Sequence, residues 1–289
     1  MLIPIALSLA VQATASAPPP QAQNQQAIVV QGRRDVQRQI HDFVKSLTDI
    51  PPAGQLSRFD FSVCPVAVGL SKPQNAEVAD RMRAVAGAAG IKVGKPGCKA
   101  NTLVVVANDA QKFVQWLKDS EPEYFIGVTP KEKALLKHVG HAAAWHIEGR
   151  TDQDGVNVTR DIDSGMFISS RTDIPSRIST NDHPSFEAAI VVLDGRSLAG
   201  LTVVQLADYA AMRAFAKTDP SRLSNPAAPT ILTLLDTPMG SAVPITLTEW
   251  DLAYLKALYG STTNRLAGQQ TGEMQKKMAQ DLKGRPNDD

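Results

Sequence analysis

The chain has 289 residues, of which 43% are hydrophobic and 20% charged, and its formal net charge at pH 7 is +1. This composition is ordinary for a globular protein, and the near-neutral net charge leaves no electrostatic footprint for nucleic acid or membrane, so a nucleic-acid role is disfavoured. After the first seventeen residues no segment is long and apolar enough to cross a bilayer, so we expect no membrane span once a leader is removed.

The N-terminal residues have the pattern of an export signal. An apolar run of about ten residues begins at Leu2, which is too short to span a bilayer but typical of a signal peptide. The small residues Ala15 and Ala17 flank Ser16 in a cleavage pattern, so we expect residues 1–17 to be removed and the protein to be periplasmic or secreted. No basic residue precedes the run, so either the true start lies upstream or the signal is weak.

Residues 18–32 begin with three prolines and continue with a Gln- and Asn-rich run. This composition buries little apolar surface and predicts a disordered linker. Beyond it, three-and-four apolar spacing predicts helices over residues 35–48, 73–89 and 109–118. Strands are predicted over 61–70 and 102–107, and the continuous apolar pattern of the second suits a buried central position.

The second half of the chain follows a different order. A helix is predicted over 129–137, a hairpin from strands at 142–149 and 156–160, a strand at 187–193, a helix at 201–216 and a loop at 219–229. A further helix ends before Gly260, and two N-caps are open for it: Thr246 with Glu249 three residues later, or Thr248. For residues 266–289 the polar composition predicts a helix that frays. We therefore expect an α+β fold over residues 33–265, a mixed β-sheet with packed helices, with an internal boundary near residue 128.

The chain has two cysteines, Cys64 and Cys98. In an oxidising compartment we expect them to form a disulfide, which would close a loop of about 35 residues. Two free buried thiols and a two-ligand metal site are the alternatives. The metal site is the weaker one, because the spacing fits no compact zinc pattern and no histidine is close by in sequence.

The helix predicted over 201–216 resembles the active-site helix of zincin peptidases. The zincin signature is His-Glu-x-x-His, in which residues four apart share a helix face and bind one zinc ion. Aligned with this segment, it places Ala207, Asp208 and Ala211 at the His, Glu and His positions. Residues 230–236 lie where matrixin-like peptidases carry their Met-turn segment. Residues 247–260 are similar to their final helix, which reads Leu-Thr-x-x-Asp and closes with Leu-Tyr-Gly.

The same ending resembles a family of uncharacterised secreted alphaproteobacterial proteins that are zincin-like, and the likeness covers roughly residues 187–260, about a quarter of the chain. It implies a zincin-like core that lacks the His-Glu-x-x-His motif, because alanine cannot bind zinc. No catalytic residue and no cofactor are then expected. The former cleft, beside Asp208, Tyr209, Met212 and Arg213, would be open to a ligand. The resemblance implies a non-catalytic binding or envelope-associated module, whose partner is an unknown ligand or envelope protein.

Two other interpretations compete with the non-catalytic module: an enzyme, and a purely structural partner in an assembly. The enzyme would be a metal-dependent hydrolase with a displaced site, because three of the five histidines, His138, His141 and His146, lie within nine residues. Asp208 with Arg213 could also do acid–base work. Histidines that are exposed or hydrogen-bonded near the start of a strand explain the same cluster. We expect all three to lie away from Ala207 and Ala211.

Overall fold

The computed structural model describes residues 22–51, 54–152, 155–160, 167–168, 182–219, 222–223, 226–238 and 241–283. The predicted signal peptide, residues 1–17, lies outside the described residues. So do residues 18–21 of the predicted linker and residues 284–289 of the predicted tail. No helix in the described part of the chain combines the length and the apolar character needed to span a bilayer.

The fold is α+β, as predicted, with a mixed β-sheet and packed helices. The strands of the described residues are β1 (Pro65–Val68), β2 (Thr102–Ala107), β3 (Ala142–Asp152), β4 (Thr159–Arg160), β5 (Phe167–Ile168) and β6 (Asp182–Asp194). Four of them form a sheet in the order β1-β2-β6-β3, and β4 pairs with β5 separately. β1, β2 and β6 are parallel, whereas β3 runs antiparallel to β6 at the edge. The predicted central position of residues 102–107 is confirmed, and strands from both sides of residue 128 share this sheet.

Seven α-helices occur in the described residues: α1 (Ala22–Leu47), α2 (Lys72–Ala88), α3 (Ala110–Ser120), α4 (Pro130–Leu135), α5 (Val203–Phe215), α6 (Glu249–Tyr259) and α7 (Ala267–Lys283). Helix α1 begins inside the segment whose composition predicts a linker. Its first residues include several alanines and glutamines, which are good helix formers. The apolar periodicity begins near residue 35. The helix therefore starts closer to the N-terminus than this periodicity predicts.

Alternating residues of the sheet enter two apolar cores. Val104 and Val191 contact the core shared with α2, α5 and α6, whereas Val105 and Val192 enter a smaller core with α3. Successive side chains of a strand point to opposite faces, so a strand buried on both faces must be apolar throughout. The continuous apolar runs of β2 and β6 follow from this position.

Helix α5 is buried almost all round, and it packs against β6, β3 and α2. Thr202 is its N-cap: the hydroxyl accepts a hydrogen bond from the Gln205 amide at 3.1 Å, and the Gln205 side chain completes a capping box. The helix predicted over 201–216 is thus confirmed. A helix with apolar residues on every side suits such an interior position.

The C-terminal helices α6 and α7 pack against each other. Thr248, and not Thr246, caps α6, with Asp251 at the third helical position. Met274 and Met278 of α7 are fully buried in the main core. Residues 267–283 are therefore a docked helix, and the prediction that they fray is wrong. Most of the helix is polar, but its one apolar stripe faces α6.

The disulfide is confirmed. Cys64 and Cys98 are bonded, with their Cα atoms 6.1 Å apart. Cys64 directly precedes β1, and Cys98 lies in the segment before β2. The bond therefore links the chain just before two neighbouring parallel strands.

Candidate functional site

A cavity of about 710 Å³ lies beside the second half of α5. Its other walls are α4, the start of β3, and described residues of the segments 217–226 and 233–238. This volume is in the range of small-molecule sites, which are usually concave and apolar with a few polar groups. Leu135, Leu223 and Leu235 supply apolar lining here.

Tyr209 and Arg213 bring the polar groups of α5 to this cavity. They are four residues apart, so they lie on one face of the helix about one turn from each other. The Arg213 Nη1 donates a hydrogen bond to the Tyr209 hydroxyl at 3.2 Å. Helix α5 thus presents a guanidinium and a phenol side by side.

Arg213 is a buried cation that has no counter-ion among the residues that the structure describes. Only 8% of the residue is exposed, and its Nε is buried without a hydrogen-bond partner. Among the described residues no carboxylate lies within ion-pair distance of the guanidinium, and the bond to Tyr209 is its single hydrogen bond. Leaving a buried charge uncompensated costs about 3–5 kcal/mol. An anion in the cavity would supply the missing partner.

Tyr209 is placed to be a second donor. Burial raises the pKa of the Tyr209 hydroxyl, an effect that Arg213 partly offsets and Asp236 reinforces. The phenol therefore keeps its proton at neutral pH. Because its oxygen accepts the bond from Arg213, the hydroxyl proton remains free to be donated to a ligand.

The two lysines of the cavity wall are neutralised by acids. Lys131 Nζ lies 2.5 Å from the Asp49 carboxylate and 3.5 Å from that of Asp219. Lys217 Nζ lies 2.9 Å from Glu148 and 3.3 Å from Glu132. Burial lowers the pKa of Lys217, but the charges of Glu148 and Glu132 outweigh it and raise the pKa. Arg213 is therefore the cation of this wall that has no acid beside it in the described residues.

His146 belongs to a buried polar network with Glu132. Its Nδ1 lies 3.5 Å from the Glu132 carboxylate and its Nε2 lies 3.1 Å from the Ala214 carbonyl oxygen, while the ring stacks on Phe186. Burial raises the pKa of Glu132, but the bond to His146, the charge of Lys217 and the Thr129 hydroxyl together lower it to about 2. Both ring nitrogens of His146 are engaged, which leaves neither free for a metal.

His138 and His141 lie exposed at the same cavity, and His141 Nδ1 is 2.7 Å from the Ser197 hydroxyl. The structure therefore brings all three histidines of the cluster to the cavity wall. In the part of the chain that the structure describes, however, no three His, Cys, Asp or Glu side chains are grouped to hold a metal ion.

The four residues expected to line the former cleft separate into two pairs. Tyr209 and Arg213 line the cavity, whereas Asp208 and Met212 are fully buried and do not. Asp208 is held in an ion pair with Arg81, and Met212 packs in the main core. The two alanines aligned with the zincin histidines, 207 and 211, are also core residues. The cavity-facing pair lies two residues further along α5.

Sequence reasoning missed Glu132, Lys217 and Asp236 as residues of this cavity. Glu132 completes a capping box with Thr129 at the start of α4, so its local role concealed its contact with His146. Arg213 did carry a signal, since it is a charged residue in an otherwise apolar helix segment.

Comparisons of the chain with protein-family models, with curated proteins and with solved structures find no match. The chemistry of the site must therefore be derived from its own residues.

Proposed function

We propose that this protein is a secreted or periplasmic, non-catalytic binding module whose cavity holds a small organic anion. The carboxylate of the ligand would contact Arg213 and Tyr209. The observation that carries the proposal is the buried Arg213 guanidinium, which has no acid partner in the described chain and lines a cavity of about 710 Å³.

A monocarboxylate fits this site better than a more highly charged anion. Arginine binds carboxylates strongly through charge-assisted hydrogen bonds. A phosphate dianion would require further cations, but Lys131 and Lys217 are already paired with acids. The apolar part of the wall favours a ligand with a hydrocarbon body.

The scaffold proposed for this site is zincin-like. The resemblance rests on residues 201–216, 230–236 and 247–260, and α5 and α6 form within the first and the last of these segments. On that scaffold Ala207 and Ala211 stand at the positions of the zincin histidine pair, and Tyr209 and Arg213, two residues further along α5, face the cavity. An arginine has no lone pair to offer a metal. The helix would thus carry an anion site in place of a metal site.

The experiment is a binding screen of the purified mature chain against aliphatic and aromatic monocarboxylates, by thermal shift and then calorimetry. Arg213→Met should lower the affinity of any hit at least about thirtyfold, because the charge-assisted bonds are lost. Arg83→Met is the matched control, since Arg83 pairs with the exposed Asp80 outside the cavity. Equal binding by wild type and Arg213→Met would refute the proposal.

A metal-dependent hydrolase is the second candidate, because His138, His141 and His146 share the cavity with Glu132. It has less support, since both nitrogens of His146 are already hydrogen-bonded. Metal analysis separates the two: one tightly bound zinc ion per chain, lost in His138→Ala and His141→Ala, would favour the hydrolase.

A further inference from the structure

The cavity that holds Arg213 also presents an acid without a partner. Asp236 lies on its wall and is exposed, and its carboxylate makes no hydrogen bond or ion pair with the described residues. Each of the other acids of the wall, by contrast, lies within ion-pair distance of a lysine. Within the described part of the chain, the wall thus carries one positive and one negative group that form no ion pair.

The position of Asp236 is set by a turn. Its amide donates a hydrogen bond to the Thr233 carbonyl oxygen at 3.2 Å, and the Thr237 hydroxyl donates to the same oxygen at 2.8 Å. The preceding residues are anchored to α6, because the Asp251 carboxylate accepts bonds from the Thr230 hydroxyl and the Ile231 amide. The segment is therefore tied to the core on the side facing α5.

Arg213 and Asp236 are close enough to act on one group but do not pair with each other. Both shift the pKa of the Tyr209 hydroxyl, in opposite directions. No ion pair joins them, although neither pairs with any other charged group in the described residues. Two opposite charges that face one cavity and stay apart are complementary to a molecule carrying both charges.

We propose that the ligand is amphoteric: an amino acid or a short peptide whose carboxylate binds Arg213 and Tyr209 while its ammonium group binds Asp236. This inference rests on the proposed anion site and adds the second charge. The ligand would be neutral overall, and no wall lysine is needed to bind it, because each of the two lysines is already held by two acids. Its apolar body would contact Leu135, Leu223 and Leu235.

The probes are the protein amino acids and their homodipeptides, tested by thermal shift and calorimetry. The best binder is then compared with its deaminated and its decarboxylated analogue. The parent should bind at least about tenfold more tightly than either analogue, because each loses one charge-assisted contact. Asp236→Asn should bring the parent and the deaminated analogue to equal affinity, and Asp236→Glu should restore part of the difference.

Glu77→Gln is the matched control, since Glu77 is an exposed acid on α2, outside the cavity. It should keep the preference for the ammonium group. Absence of any hit among the amino acids and dipeptides, or equal binding of the deaminated analogue to wild type, would overturn the inference. If Arg213→Met still abolishes carboxylate binding in that case, the anion site stands. If it does not, the proposed function fails too.

Discussion

Arg81 of α2 and Asp208 of α5 form a two-bond ion pair inside the protein. Arg81 Nε lies 2.7 Å from one carboxylate oxygen and Nη2 lies 3.0 Å from the other. The Thr246 hydroxyl and the Leu247 amide also donate to Asp208, at 2.8 and 2.6 Å. One buried carboxylate thus joins α2, α5 and the segment before α6.

Asp208→Asn should destabilise the protein by about 2 kcal/mol, because the fully buried carboxylate loses its charge-assisted bonds while the Arg81 side chain is 34% exposed and keeps contact with water. Ligand binding should be unchanged, since Asp208 does not line the cavity. Urea unfolding measures the first effect and calorimetry the second. Asp80→Asn, which removes an exposed ion pair with Arg83, should cost less than about 1 kcal/mol. A stable Asp208→Asn protein with impaired binding would contradict this assignment.

Arg213→Met should stabilise the ligand-free protein by about 1–3 kcal/mol, because an apolar chain of similar length replaces an uncompensated buried charge. The same variant should lose carboxylate binding. Chemical unfolding of dialysed protein gives the stability. Marked destabilisation by Arg213→Met would show that the guanidinium has a structural role and that its partner lies within the chain.

Glu132 should make stability depend on pH in the acid range. Its pKa falls from an ordinary 4.5 to about 2 in the folded protein. A carboxyl with a lowered folded pKa stabilises above its unfolded pKa, and this stabilisation is lost as the pH falls toward the folded value. The contribution at pH 7 is about 3 kcal/mol.

The difference in unfolding free energy between wild type and Glu132→Gln should therefore be largest at neutral pH and should decrease between about pH 4.5 and about pH 2. Unfolding curves at pH 7, 5, 4 and 3 measure it. Glu77→Gln, at an exposed acid, should show no such trend. A difference that stays constant from pH 7 to pH 3 would show that Glu132 is not held as a carboxylate by His146 and Lys217.

Loss of the disulfide should lower stability without affecting the cavity. The double variant Cys64→Ser, Cys98→Ser should lose about 3–4 kcal/mol, the loop-closure value for a loop of this length. Thiol titration of native wild-type protein should detect no free cysteine until a reductant is added. Reactive thiols in the oxidised, unfolded protein would contradict the bond.

The sequence predicted helices and strands well where the residues concerned interact only with near neighbours in the chain. The helix over 201–216 was predicted from its own residues, and its cap is equally local, because Thr202 and Gln205 are only three residues apart. The sequence could not show in the same way whether Thr246 or Thr248 is the N-cap of α6. Thr246 donates its hydroxyl to Asp208, 38 residues away in sequence, and this leaves Thr248 to cap α6.

The C-terminal segment shows the same limit. Residues 267–283 are largely polar, and composition predicted a fraying end. Only the fold shows that α6 lies opposite Met274 and Met278 and buries them. A few apolar residues on one stripe are sufficient for docking when a partner surface already exists.

The sequence by itself determined the fold class, the positions of most helices and strands, the cysteine pairing and the helix that carries the candidate site, because these depend on periodicity, capping and residue type. Only the tertiary structure decided which side of that helix faces the cavity. Asp208 and Arg213 are both charged residues of one apolar helix, yet Arg81, 127 positions from Asp208 in sequence, neutralises the first. No described acid reaches the second. Whether a charge is structural or open to a ligand depends on such distant partners, which local pattern does not encode.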